Sequence, residues 1–220
     1  MFYLACVLIF IEIVFAFIFS TMQSRLLFDG AFQCLLPTNV IDASDLRQIP
    51  DNQEIFVHPS TSQSITIDIM EYVDANNREE AARIHFDEIS ASNEASDSNI
   101  SSVRTVSLHN PDPYCSSVIL LIGQQKVVKF NQTNENVVSI YMALYTYTEY
   151  QADALVIIND PDDDDDNGSI IHSHSPGHNP IHLTHQHTNG YSTSDSAWSQ
   201  DKIDTTLHSL RLINSNIFTS

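Results

Sequence analysis

Two groups of side chains in this sequence have the types and spacing to do chemistry, one of histidines and one of carboxylates. Six histidines lie between residues 172 and 187. His172-x-His174 and His185-x-His187 could offer imidazoles to zinc, copper or nickel, and an aspartate run (Asp160, then residues 162–166) stands just upstream. The surrounding sequence is compositionally biased and supplies no fixed geometry for a coordination shell, so it reads as a solvated insert and no metal site is assigned. The second group is Asp42, Asp45, Asp51, Gln53, Glu54, Asp68 and Glu71, on short neighbouring segments. Taken singly these have bland roles. Asp42 and Asp45 can cap a helix, worth ~1 kcal/mol each, and Asp51 sits in the turn-forming Pro50-Asp51-Asn52. Asp68 falls on the polar face of an isoleucine strand, where a solvated residue is expected. Taken together, several could share one surface, and clustered carboxylates suit the capture of lysine and arginine side chains.

Catalytic and nucleotide-binding motifs are missing. There are five glycines, three of them (Gly168, Gly177, Gly190) in the insert, and no G-x-x-x-x-G-K-[ST] or G-x-G-x-x-G to cradle phosphates through backbone N–H groups. Neither a G-x-S-x-G elbow nor an H-E-x-x-H pair occurs. The chain is therefore expected to act by binding a protein, not by catalysis, and to need no cofactor. Its charge points the same way. With 28 acidic against 9 basic residues the net charge is −19, a field that repels nucleic acid and anionic lipid and attracts basic protein surfaces.

Cys6, Cys34 and Cys115 are widely spaced and suit a reducing compartment. Sequons at Asn99, Asn131 and Asn167 matter only on a secretory route. Residues 2–19 are apolar except for Glu12, and as a helix they would span about 27 Å. Three readings stand: a membrane segment, an atypical signal peptide, or a start placed upstream of a true initiator at Met22. A basic n-region and a clear cleavage site are lacking, and Glu12 would sit near mid-membrane. Membrane association is expected only if this leader is translated and inserted.

The elements that must position the carboxylates follow from periodicity. Residues 26–36 read as one opening strand, and Asp42 caps a short helix that Ile49-Pro50 stops. Residues 54–58 form a short strand, and Ile65, Ile67 and Ile69 alternate along another that should bend or bulge at Met70-Glu71. Asn77 caps the clearest helix, with Glu80 three residues on and Ala82, Phe86 and Ile89 as its apolar stripe. Residues 90–102 read as loop. Residues 118–122 and 126–130 flank Gly123-Gln124, which reads as a hairpin turn with glycine first. Residues 137–147 and 154–158 read as strands, and Ser199 caps a last helix with Trp198 and Ile203 as a hydrophobic staple. Strands joined mostly by hairpins, with few helices, give an α+β sandwich.

One stretch carries a resemblance. Leu27-Phe28-Asp29-Gly30-Ala31-Phe32, Leu36-Pro37, and above all the run D-x-S-x-L-R-x-x-P-D-x-Q-E from Asp42 to Glu54 resemble the Ran guanine nucleotide release factor family, the Mog-type Ran-binding proteins. Weaker matches follow at residues 64–71, 82–88, 124–129, Tyr150-Gln151-Ala152-Asp153 and Asn216-Ile217-Phe218. The resemblance implies an α/β/α sandwich around an antiparallel sheet, similar to the PsbP fold. It further implies a nuclear and cytoplasmic protein that binds the GTPase Ran, promotes nucleotide release and supports nuclear import; a monomer is expected. A trafficking adaptor on a membrane, using the same domain, is the alternative. The family's acidic surface carries over to Asp42, Asp51, Glu54, Asp68 and Glu71, with Asp45 and Gln53 as neighbours. Family members begin shortly before L-F-x-G-A-F, which favours Met22 as the start. The implied organisation is a leader (1–21), a Ran-binding domain (22–159), an Asp/His-rich insert (160–196) and a C-terminal helix completing the domain (197–220).

Overall fold

The structure, a computed structural model, describes residues 21–107, 112–128, 135–162, 170–171, 181–182 and 196–218. A hairpin opens the chain, β1 (Met22–Leu27) and β2 (Phe32–Pro37), followed by β3 (Ile41–Asp42), a 3-10 turn at Ala43–Asp45, β4 (Gln53–Val57) and β5 (Ser64–Glu71). Helix α1 (Arg78–Ser92) leads into β6 (Asp97–Val106), β7 (Ser117–Val128), β8 (Glu135–Tyr147) and β9 (Ala152–Pro161). The short pair β10 (Ile170–Ile171) and β11 (Ile181–His182), helix α2 (Gln200–Leu207), β12 (Arg211–Leu212) and a 3-10 turn at Ser215–Phe218 complete the described chain.

Seven antiparallel strands in the order β3-β4-β5-β9-β8-β7-β6 make the central sheet. Its middle strands are apolar on both sides because both sides are covered. Ile119, Leu121, Ile140, Met142, Leu144, Leu155 and Ile157 pack with Ala81, Ala82 and Phe86 of α1. The alternate residues, among them Leu120, Tyr145, Val156 and Ile158, pack with Phe32 and Leu36 of β2 and with Ile203 and Leu207 of α2. The second outer layer is thus α2 together with a small β1-β2-β12 sheet. The α+β sandwich expected from the sequence is present.

Several local expectations need correction. The opening strand is a hairpin, because Phe28, Asp29 and Gly30 all take positive φ (52°, 54° and 87°) and Gly30 N–H and Ala31 N–H close the turn on Leu27 O and Phe28 O. Asp-Gly is a turn-forming pair, and the apolar residues around it conceal that signal. The pairing of β5 with β9 is regular through Glu71, without a bulge at Met70-Glu71. Residues 97–106 are strand β6, not loop, because an edge strand held from one side can be polar and exposed. Gly123 is not a turn but the middle of β7. Its missing side chain makes room for Phe86: a Cβ there would lie 2.7 Å from the Phe86 ring and 2.8 Å from Asn99 O.

Both helices begin where the sequence places them, although Ser199 makes no side-chain capping bond at the start of α2. Asn77 Oδ1 accepts from Glu80 N–H at 2.8 Å, and Trp198 and Ile203 at the start of α2 are both buried. β9 runs on to Pro161, into the first residues read as insert. The apolar leader, Asp163–166 and the histidine pairs at 172/174 and 185/187 lie outside the described residues. Among the described residues no helix is long and apolar enough to cross a membrane.

Candidate partner-binding surface

The signature run from Asp42 to Glu54 folds back on itself at one edge of the sheet. Asp42 ends β3 and caps the 3-10 turn, accepting from Ser44 N–H at 3.0 Å and Ser44 O–H at 2.6 Å. Its other oxygen pairs with the Arg25 guanidinium, which also lies over the Phe56 ring with its carbon 4.8 Å from the centroid. Pro50 O accepts from Gln53 N–H, so Asp51 stands exposed on the turn that starts β4. Asp45 is likewise exposed.

Glu54 points to the same side of the sheet as Phe56, toward the β1–β2 hairpin. Its Oε1 accepts from Phe28 N–H at 2.5 Å, which ties β4 to the strained turn. Burial raises its carboxyl above the usual range, the Phe28 N–H opposes that, and Asp42 and Asp29 push it up further while Arg25 pulls it down. Asp29, Asp42 and Glu54 thus form an acidic patch with Arg25 as its internal counter-ion. Asp45 and Asp51 extend the same chain segment as free carboxylates.

Not all of the predicted residues join this patch. β4 pairs with β5 so that Gln53 lies opposite Asp68 and Glu54 opposite Ile67. Because side chains alternate along a strand, Gln53 and Asp68 face α1, on the side of the sheet away from Glu54. The solvated Asp68 expected from the sequence is corrected: it is 8% exposed, with Oδ1 accepting from Asn52 Nδ2 and Oδ2 from Gln53 Nε2, both at 2.9 Å. Burial pushes its carboxyl up to about 6, although Gln53, His85 and the Ile69 N–H pull it down. Glu71 is exposed at the far end of β5.

A buried ionic network escaped the sequence reading. Asp153, fully buried on β9, accepts from Arg78 Nη2 at 2.6 Å, from His85 Nε2 at 3.1 Å and from Val73 N–H at 3.1 Å. Burial alone would raise its carboxyl, but the hydrogen bonds from His85, Val73 and Arg78 hold it below the usual range. Arg78 also donates to Val73 O and Thr146 Oγ1 and covers the Tyr72 ring. This network clamps the start of α1 to the sheet. The only sequence signal for it was Asp153 within Tyr150-Gln151-Ala152-Asp153. A second buried carboxylate, Asp112, accepts from Tyr147 O–H and Leu212 N–H and so fastens β12. Phe218 then stacks on Tyr150 with centroids 4.9 Å apart and meets Tyr147 and Phe32. Among the described residues no group of three or more His, Cys, Asp or Glu is placed to hold a metal ion.

The sequence model of the family described as Ran-interacting Mog1 protein matches residues 25–161. A Ran guanine nucleotide release factor of Danio rerio is 41% identical over 143 residues, which cover 63% of this chain and 78% of the relative. A Homo sapiens protein of the same name is 39% identical over 137 residues, covering 61% and 74%. The crystal structure of the Saccharomyces cerevisiae Ran-binding protein Mog1p matches the fold with a TM-score of 0.53 at 24% identity, covering 64% of this chain and 77% of that one.

Proposed function

This chain belongs to the Ran-interacting Mog1 family, and we propose that it binds the GTPase Ran, promotes release of its nucleotide and supports protein import into the nucleus. The observation that carries this reading is the family match across the whole signature segment, which lies within residues 25–161. The protein works by binding, without a cofactor and without making or breaking covalent bonds. Its place of action is the nucleus and the cytoplasm that exchanges with it.

The contact surface is the acidic edge formed by Asp42, Asp45, Asp51 and Glu54, with Asp29 beside it. Glu71 is at its margin, and Gln53 and Asp68 support β4 from the opposite face. A release factor binds the open or nucleotide-free GTPase more tightly than the loaded one. By linkage it weakens nucleotide affinity by the same factor. Carboxylates serve this end by engaging basic side chains that would otherwise hold the nucleotide pocket together.

Variants must respect burial. Asp51 is exposed and makes no contact that the fold needs, so Asp51→Lys tests charge alone. Glu54→Gln keeps an acceptor for Phe28 N–H while removing the charge. Both are expected to weaken Ran binding about tenfold or more, as measured by titration calorimetry, with unchanged circular dichroism. Full affinity in both variants would remove this surface from consideration. Asp68→Lys is not a usable test, because it would bury a lysine among Gln53, Asn52 and α1.

A further inference from the structure

We infer that the contact with Ran has an apolar centre, an aromatic ledge of Phe28, Phe218, Tyr150 and Tyr114, an inference that rests on Ran being the partner. The ledge takes an aliphatic or aromatic side chain of Ran that stands among lysines or arginines. Strand register gathers these residues at one end of the sandwich. Glu71, the last residue of β5, lies opposite Ala152, and Ala152 lies opposite Tyr147, so the 148–151 turn stands beside the end of β5. Ile69 N–H bonds to Asn52 O, which brings the Asp51 turn to the same end. β7 starts there too, with Ser117 opposite Thr146, and so places Tyr114 close by. The β1–β2 hairpin arrives from the outer layer, with the Phe32 ring 5.7 Å from that of Tyr147.

The rings form a continuous row. Between centroids, Phe28 is 5.9 Å from Phe32, Phe32 is 6.0 Å from Phe218, and Tyr150 is 6.4 Å from Tyr114. Phe218 and Tyr150 are stacked in the middle at 4.9 Å. Phe32 is fully buried beneath the row, while Phe28, Tyr150 and Phe218 are half-buried and Tyr114 is 44% exposed. Among the described residues neither the Tyr114 nor the Tyr150 hydroxyl makes a hydrogen bond. One exposed ring is ordinary on a protein surface, but a contiguous row of four marks a contact site. Aromatic side chains concentrate at the centre of protein contacts, inside a polar rim.

The ledge is continuous with the acidic edge and takes its choice of occupant from it. Phe28 N–H donates to Glu54 Oε1, so the first ring of the row is fixed by a carboxylate of that edge. Asp29 follows Phe28 directly, and Asp51, Glu71 and Glu149 stand exposed at the same end of the sheet. Carboxylates around an apolar centre select an apolar side chain set among basic ones. The net charge of −19 repels nucleic acid and anionic lipid from the same surface.

The test is titration calorimetry of Ran with the full chain and its Tyr114→Ser variant, at low and at high salt. Val128→Ser is the control, since Val128 is 51% exposed but lies at the other end of β7. Tyr114→Ser is expected to weaken binding about tenfold at both salt concentrations, because an apolar contact is not screened, and Val128→Ser to leave it unchanged. Full affinity in Tyr114→Ser, an equal loss in Val128→Ser, or a Tyr114 effect that vanishes at high salt overturns the inference and leaves Ran standing as the partner. A parent chain that does not bind Ran overturns both together. Should Tyr114→Ser fail to fold, hydrogen exchange of the parent decides. Amides of residues 28–31 and 148–151 exchange more slowly with Ran present if the ledge is covered, and unchanged exchange there overturns the inference.

Discussion

Replacing Asp68 with asparagine should stabilise this protein at neutral pH and destabilise it in acid. Asp68 is 8% exposed, and burial pushes its carboxyl from 3.8 to about 6. The folded state therefore disfavours the ionised form. Stability is fully present below the unfolded value of 3.8 and is lost as pH rises through about 6. At ~1.4 kcal/mol per pH unit the ionised carboxylate costs ~3 kcal/mol at pH 7.5. Asparagine removes that cost. It also forfeits one of the two hydrogen bonds from Asn52 and Gln53, because it has a single acceptor oxygen, at a loss of ~1 kcal/mol. The net expectation is a gain of ~1–2 kcal/mol at pH 7.5, or a melting temperature higher by roughly 3–6 °C. At pH 3.5 the sign reverses, since only the lost hydrogen bond remains. Differential scanning calorimetry of both proteins at the two pH values reads this directly. A variant that melts below the parent at both, or by the same margin at both, would refute the burial argument.

Further substitutions probe the packing and the ion pairs. Gly123→Ala should cost ~1–3 kcal/mol in urea denaturation, because the new methyl meets the Phe86 ring and Asn99 O. Adding Phe86→Leu should recover part of that loss, and strictly additive effects would count against the contact. Asp153→Ala should cost ~3–5 kcal/mol, as it strands Arg78 and His85 without their shared acceptor; an unchanged midpoint would remove the network from the account. Arg25→Met should slow Ran association little and leave the fold near parental stability, because its ion pair with Asp42 is 36% exposed on the arginine side. A stopped-flow rate that falls with Arg25→Met would show that Arg25 itself contacts the partner.

What the sequence disclosed, and what it hid, follow from range. Caps are local, so Asn77 and the Asp42 turn were legible, as were the isoleucine alternation of β5 and the apolar runs of β7 to β9. Cross-strand information is not local. Gly123 resembles a turn glycine until Phe86, brought from α1, is seen to occupy the space above it. β6 has a polar, serine-rich sequence and becomes a strand because β7 offers it a partner along its length. Asp68 looks solvated because its alternation with isoleucines is correct, but the face it occupies is roofed by α1. Splitting the predicted carboxylates between two faces required the β4–β5 register, which places Gln53 opposite Asp68. Asp153 had no local signal beyond one short match, since its partners lie 75 and 68 residues away.

We propose that the protein acts on Ran. The most direct measurement is release of a fluorescent GTP analogue from loaded Ran as the protein is added. The expected rate rises with concentration and saturates, and falls back toward the intrinsic rate with Glu54→Gln and Asp51→Lys. A release rate that stays at its intrinsic value at every concentration, with no complex recovered, would contradict it.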